Sequence, residues 1–110
     1  MTQMNSGQTI YEYFVVLYRP GPGWLEGKAI REQPISEHVG YMKKLKELGT
    51  LVLGGPFKDS AGAMVILECE GWEVATQFVA DDPAIQIQLF AAEIHPWDPA
   101  ATGQVEKRPW

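Results

Sequence analysis

Apolar and polar positions change their period several times along the chain, and each change marks an element. From Thr9 to Tyr18 the residues are β-branched, aromatic and aliphatic, which predicts a strand. Tyr11, Tyr13, Val15 and Leu17 share one face, and Ile10, Glu12, Phe14, Val16 and Tyr18 share the other. Both faces are largely apolar, so this strand is expected to be central and covered on both sides. Arg19 to Gly27 reads Arg-Pro-Gly-Pro-Gly-Trp-Leu-Glu-Gly. Its alternating Pro and Gly forbid a helix and remove ladder donors, which predicts a loop carrying an arginine and a tryptophan.

The period then becomes helical. A helix is predicted from about Pro34 to Leu48, with Pro in its first turn and Gly49 as its stop. At 100° per residue, Ile35, Val39, Met42 and Leu45 form one apolar stripe, while Glu37, Lys44 and Glu47 fall outside it. His38 falls inside the stripe. Leu51–Leu53 reads as a short strand ending in Gly54-Gly55-Pro56-Phe57, and Lys58–Gly62 as a turn. Ala63–Glu70 reads as a third strand, in a hairpin with the second. Gly71–Asp82 predicts a second helix with Trp72, Ala75, Phe78 and Val79 on one face, ended by Pro83. Leu89–Trp97 is the last strand.

This order is the split βαβ, ferredoxin-like pattern: an α+β fold with two helices on one face of a four-stranded antiparallel sheet. The other sheet face is left open. An apolar open face in water is a large exposed patch, and the simplest resolution is a second copy packed sheet to sheet.

Composition narrows the function classes. A chain of 110 residues suits one domain, expected over residues 9–97. Residues 1–8 read as a polar tail without the marks of a signal peptide, so a cytoplasmic protein is expected. Residues 98–110 read as an extension, with Trp110 expected to dock on its own or a partner subunit. No apolar run approaches the roughly 20 residues of a membrane helix, so no membrane association is expected. Nine Lys and Arg stand against fourteen Asp and Glu, a net charge of −5 without a basic block. Nucleic acid is therefore not an expected partner, since phosphate binding needs clustered cations. The single cysteine, Cys69, allows no internal disulfide and reads as a packing residue. Gly54-Gly55-Pro56 lacks the following Lys and helix of a phosphate loop, and reads as a bulge or a place where a ligand meets the backbone.

Two ionisable residues sit at expected core positions. His38 lies on the first helix's stripe, and Asp82 continues the direction of Trp72, Ala75 and Val79 if the second helix reaches it. Burial tends to strip an imidazole of its proton, and a nearby carboxylate favours keeping it. A paired His and Asp holds an imidazole near neutrality in one tautomer, as a general base requires. A lone His on an apolar face is more often simply a satisfied core residue, and an Asp before Pro is a common turn residue. Glu93 and His95 alternate on one strand face and, with His38, raise the question of a metal. Zinc needs three or four converging ligands, and the set lacks them, so no metal is expected.

The runs Tyr13–Gly21, His38-Val39-Gly40-Tyr41-Met42, Leu53-Gly54-Gly55-Pro56-Phe57, Asp81-Asp82-Pro83 and Glu93-Ile94-His95-Pro96-Trp97, with Gly49 between them, resemble the YCII-related family in order and spacing. The resemblance spans about residues 10–97. It implies a dimeric α+β barrel of two ferredoxin-like units and an active-site pair at His38 and Asp82. It also implies a Gly-Pro segment, here Gly55 and Pro56, lining the same pocket. Family members are connected with breakdown of ring compounds, including loss of chloride from a hydroxylated ring. The Pro20–Gly27 loop belongs only to a subset.

Two classes of function remain. In the first, a small, flat or cyclic substrate binds between the helices, the sheet and the Arg19–Gly27 loop. His38 moves a proton, Asp82 orients it, Arg19 pairs with an anionic oxygen, and Trp24, Tyr41 and Phe57 form apolar walls. That is lyase or isomerase chemistry without a cofactor. In the second, the same pocket serves a non-catalytic binding or accessory dimer. A purely structural His38 is a further possibility.

Overall fold

The structure, a computed structural model, describes residues 10–103. The expected tail at residues 1–8 and the docking of Trp110 lie outside them. Four antiparallel strands form one sheet: β1 (Glu12–Pro20), β2 (Leu51–Pro56), β3 (Ala63–Cys69) and β4 (Phe90–Trp97), in the order β2-β3-β1-β4. The helices α1 (Ser36–Glu47), α2 (Trp72–Ala80) and α3 (Pro83–Gln86) pack on one face, with a short 3-10 turn at Ile30–Glu32. This is the α+β, ferredoxin-like arrangement that the order of elements predicts.

Strand β1 is central, between β3 and β4. Phe14, Val16 and Tyr18 are buried under the helices with Met42, Leu45, Val65, Leu67, Val79 and Leu89. The alternate residues Tyr13, Val15 and Leu17 face the other side and are half-buried. Within one chain the described residues cover β1 by helices on one face only.

Several bounds differ from expectation, each for a local reason. Strand β1 continues through Arg19 and Pro20, which pair with Ala91 and Phe90. Strand β2 runs on through Gly54, Gly55 and Pro56, because an edge strand tolerates residues that weaken or skip ladder bonds. The irregularity in β2 lies between Leu51 and Leu53, not at the Gly-Gly-Pro run. The second helix stops at Ala80, and Pro83 starts a new helix instead of only ending the old one. Proline suits a first helical position and forces the residue before it out of helical angles. Asp82 accordingly has ψ 125° and caps α3. Trp72, expected on the buried face of α2, is 49% exposed, with its ring tilted against Phe14 at a centroid distance of 6.2 Å.

Candidate functional site

His38 and Asp82 meet. Helix α1 turns His38 toward the sheet with Met42 and Leu45, and the break between α2 and α3 brings Asp82 alongside. Nδ1 of His38 lies 3.0 Å from Oδ1 and 2.8 Å from Oδ2 of Asp82. Oδ1 also accepts the Ala84 N–H at 2.9 Å. A carboxylate only accepts hydrogen bonds, so Nδ1 carries the hydrogen. Nε2 then holds the lone pair in the neutral ring, and it makes no protein hydrogen bond among the described residues.

The pair is deeply set. His38 is 6% exposed and Asp82 0%. A carboxylate so buried needs donors, and His38 and the Ala84 amide supply them. Two aromatic rings stand edge-on to the imidazole: Tyr18, centroid 5.5 Å away at 76°, and Phe90, 5.4 Å away at 69°. Burial, together with the Asp82 carboxylate beside it, pushes the Tyr18 hydroxyl well above the usual phenol range. Tyr18 therefore stays a neutral donor at ordinary pH. Neither Tyr18 nor Phe90 stands out in the sequence as a site residue, because alternation alone does not tell which core residue touches an imidazole.

The remaining expected site residues are spread wider. Trp24 stacks at a tilt on Phe90, 5.9 Å between centroids, and so joins the site through that ring. Tyr41 donates its hydroxyl to the Phe78 carbonyl at 2.7 Å, tying α1 to α2. Burial, with Asp81 and Asp82 nearby, raises that hydroxyl to about 12. Pro56, Ala63, Tyr18 and Ala92 form one row across the sheet, so Pro56 sits two strand spacings, roughly 10 Å, from Tyr18. Gly55 shares a row with Met64 and Leu17 on the uncovered face. Phe57 follows the end of β2 and is exposed.

Arg19, expected to reach an anionic oxygen beside His38, alternates with Leu17 onto the uncovered face and lies 3.7 Å from Glu93. Glu93 in turn contacts Nε2 of His95 at 3.0 Å. Glu93 and His95 are thus separated from His38 by the sheet, and the three do not converge. Cys69 is buried, its thiol raised by burial and aimed at the Gly71 carbonyl.

Comparison with known proteins bears on this geometry. No curated protein matches the chain. Among solved structures, 5-chloro-2-hydroxyhydroquinone dehydrochlorinase from Burkholderia phenoliruptrix AC1100, in complex with 2,5-dihydroxybenzoquinone, is similar with a TM-score of 0.63. It is 28% identical, over 78% of this chain and 93% of that one. The profile of the YCII-related domain matches residues 13–98. With that match running from the first strand to the end of the last, the chain belongs to the YCII-related family.

Proposed function

We propose that the protein is a small-molecule enzyme in which His38 moves a proton and Asp82 holds it in place. The observation that carries this reading is the contact of both Asp82 oxygens with Nδ1, which leaves Nε2 as the free basic nitrogen. A general base needs a fixed tautomer and an unoccupied lone pair. The reaction class is lyase or isomerase chemistry. Nε2 takes a proton from a hydroxyl, or from a carbon next to a carbonyl. The electron pair left behind forms an enolate, to which the imidazolium can return the proton, or expels a leaving group together with its bonding pair. A small, flat, hydroxylated ring is the substrate class, supported by the similarity to a dehydrochlorinase that binds a dihydroxybenzoquinone. Such proton transfer calls for no redox cofactor. The working unit is a homodimer formed across the uncovered sheet face, supported by the half-buried Tyr13, Val15 and Leu17 there.

The test is chloride release from 5-chloro-2-hydroxyhydroquinone, with His38→Ala and Asp82→Asn beside the wild type. His38→Ala is expected to lose about 10²–10⁴-fold in turnover. Its circular dichroism and its affinity for 2,5-dihydroxybenzoquinone are expected to persist. Equal turnover in His38→Ala would overturn the assignment. The near closure of the pair favours one rival reading, a structural buried ion pair. That reading expects His38→Leu to lose about 3–5 kcal/mol of stability by stranding the Asp82 carboxylate, with turnover of the folded variant unchanged.

A further inference from the structure

The loop from Gly21 to Gln33 is held far more tightly than its Pro-Gly composition suggests. Gln33 is 5% exposed although it belongs to no helix or strand. Its Oε1 accepts the Leu25 N–H at 2.9 Å. Its Nε2 donates to the Leu25 carbonyl at 2.9 Å and to the Lys28 carbonyl at 3.1 Å. One side chain thus closes the loop from within, using three bonds where water would otherwise compete.

The loop is also strapped from outside. Gly21 N–H donates to the Leu89 carbonyl at 2.9 Å, and Gly23 N–H to the Gln88 carbonyl at 2.8 Å. The approach is so close that a Cβ on Gly21 would stand 2.5 Å from the Gln88 oxygen, and one on Gly23 2.8 Å from the Ile87 oxygen. Gln88 itself takes φ 62°, a left-handed conformation that costs energy in a non-glycine residue. Between the two attachments sits Trp24, against Phe90, which in turn stands edge-on to His38. Gln33 precedes His38 by five residues, so the same residue sets the loop relative to the start of α1.

We propose that Gln33 is a positioning residue that makes the Gly21–Gln33 loop a pre-set wall of the His38–Asp82 site, with Trp24 as the face presented to a bound ring. The loop is a fixed specificity element, not a lid that closes on substrate. This deepens the functional reading above and rests on it for the nature of the ligand. A wall ordered before binding leaves less loop entropy to be lost when the ring enters.

Two measurements test it. The first is amide hydrogen exchange on the full chain, wild type against Gln33→Met, which keeps the shape and removes the bonds. The wild-type Leu25 and Gly23 amides are expected to be protected. In Gln33→Met they are expected to exchange about 10–100-fold faster, with Val16 and Leu67 unchanged. An unprotected Leu25 amide in the wild type overturns the proposal, whatever the variant does. So does unaltered exchange in a folded variant.

The second is binding of 2,5-dihydroxybenzoquinone to the wild type, Gln33→Met, Trp24→Ala and the double variant. Each single change is expected to weaken binding about tenfold, and the double variant no further than Trp24→Ala, because Gln33 acts through Trp24. Fully additive losses, or an unchanged affinity in Gln33→Met, sink the positioning role. A wild type that does not bind the quinone counts against the proposed ligand class, while the exchange result still decides whether the wall is fixed.

Discussion

Asp82 has no exposed surface, and its charge is met by an imidazole N–H and a backbone amide. The tyrosine hydroxyls near it pay the electrostatic consequence. In the unfolded chain both tyrosines ionise near 10. In the fold, burial and the Asp81 and Asp82 carboxylates hold Tyr41 to about 12, and burial with Asp82 holds Tyr18 higher still. Above about pH 10 the unfolded state therefore loses protons that the folded state keeps, so stability falls as pH rises. The Tyr41 contribution is whole below pH 10 and lost by about pH 12. Thermal melts between pH 8 and 12 should show that decline, and Tyr18→Phe and Tyr41→Phe should each flatten it. Tyr41→Phe should also cost about 1 kcal/mol at neutral pH, for the lost bond to the Phe78 carbonyl. A slope identical to wild type in both variants would refute this account. At this scale the anomaly of His38 was legible, since an ionisable group on an apolar stripe stands out. Gln33 was not, because a polar residue beside a proline in a loop carries no periodic signal.

Between β2 and β3 the chain reverses through a turn that only one residue type can complete. Gly62 has φ 132°, and a Cβ there would stand 1.9 Å from the Tyr18 carbonyl oxygen. Gly62 also offers its own carbonyl to the Phe57 N–H at 2.8 Å. Gly62→Ala must therefore push the hairpin off β1 or distort both, at a cost of at least about 2 kcal/mol. Chemical denaturation should show this as a lower midpoint, and a midpoint equal to wild type would contradict it. Gly55, with open space around its Cα, should tolerate the same substitution far better. The hairpin itself is readable from turn residues between two apolar runs. The break between α2 and α3 is readable only in part. Pro83 signals an interruption, but whether the chain then loops or starts a new helix depends on what Asp82 and Ala84 pack against.

The sheet presents Tyr13, Val15, Leu17 and Met64 on the side away from the helices, with Glu93 and His95 beside Leu17 and Val15 on the β4 edge and Arg19 near the end of β1. On the proposed dimer, a charge at the centre of that face is buried without a partner. Met64→Glu, whose cross-strand neighbours Leu17 and Gly55 carry no charge, should give a species of 12.3 kDa by light scattering where the wild type gives twice that mass. A wild-type monomer at micromolar concentration would show that something else covers the face, or nothing does. The alternation of residues along the chain determined the order of elements, the central place of the first strand and the core position held by His38. Those follow from local periodicity, which each segment carries in itself. Only the tertiary structure decided that Asp82 is buried with both its oxygens on Nδ1, that Arg19 turns away from them, and that Gln33 bonds the backbone of Leu25 and Lys28. Those depend on strand register and on where a helix breaks, and register is set by partners distant in sequence.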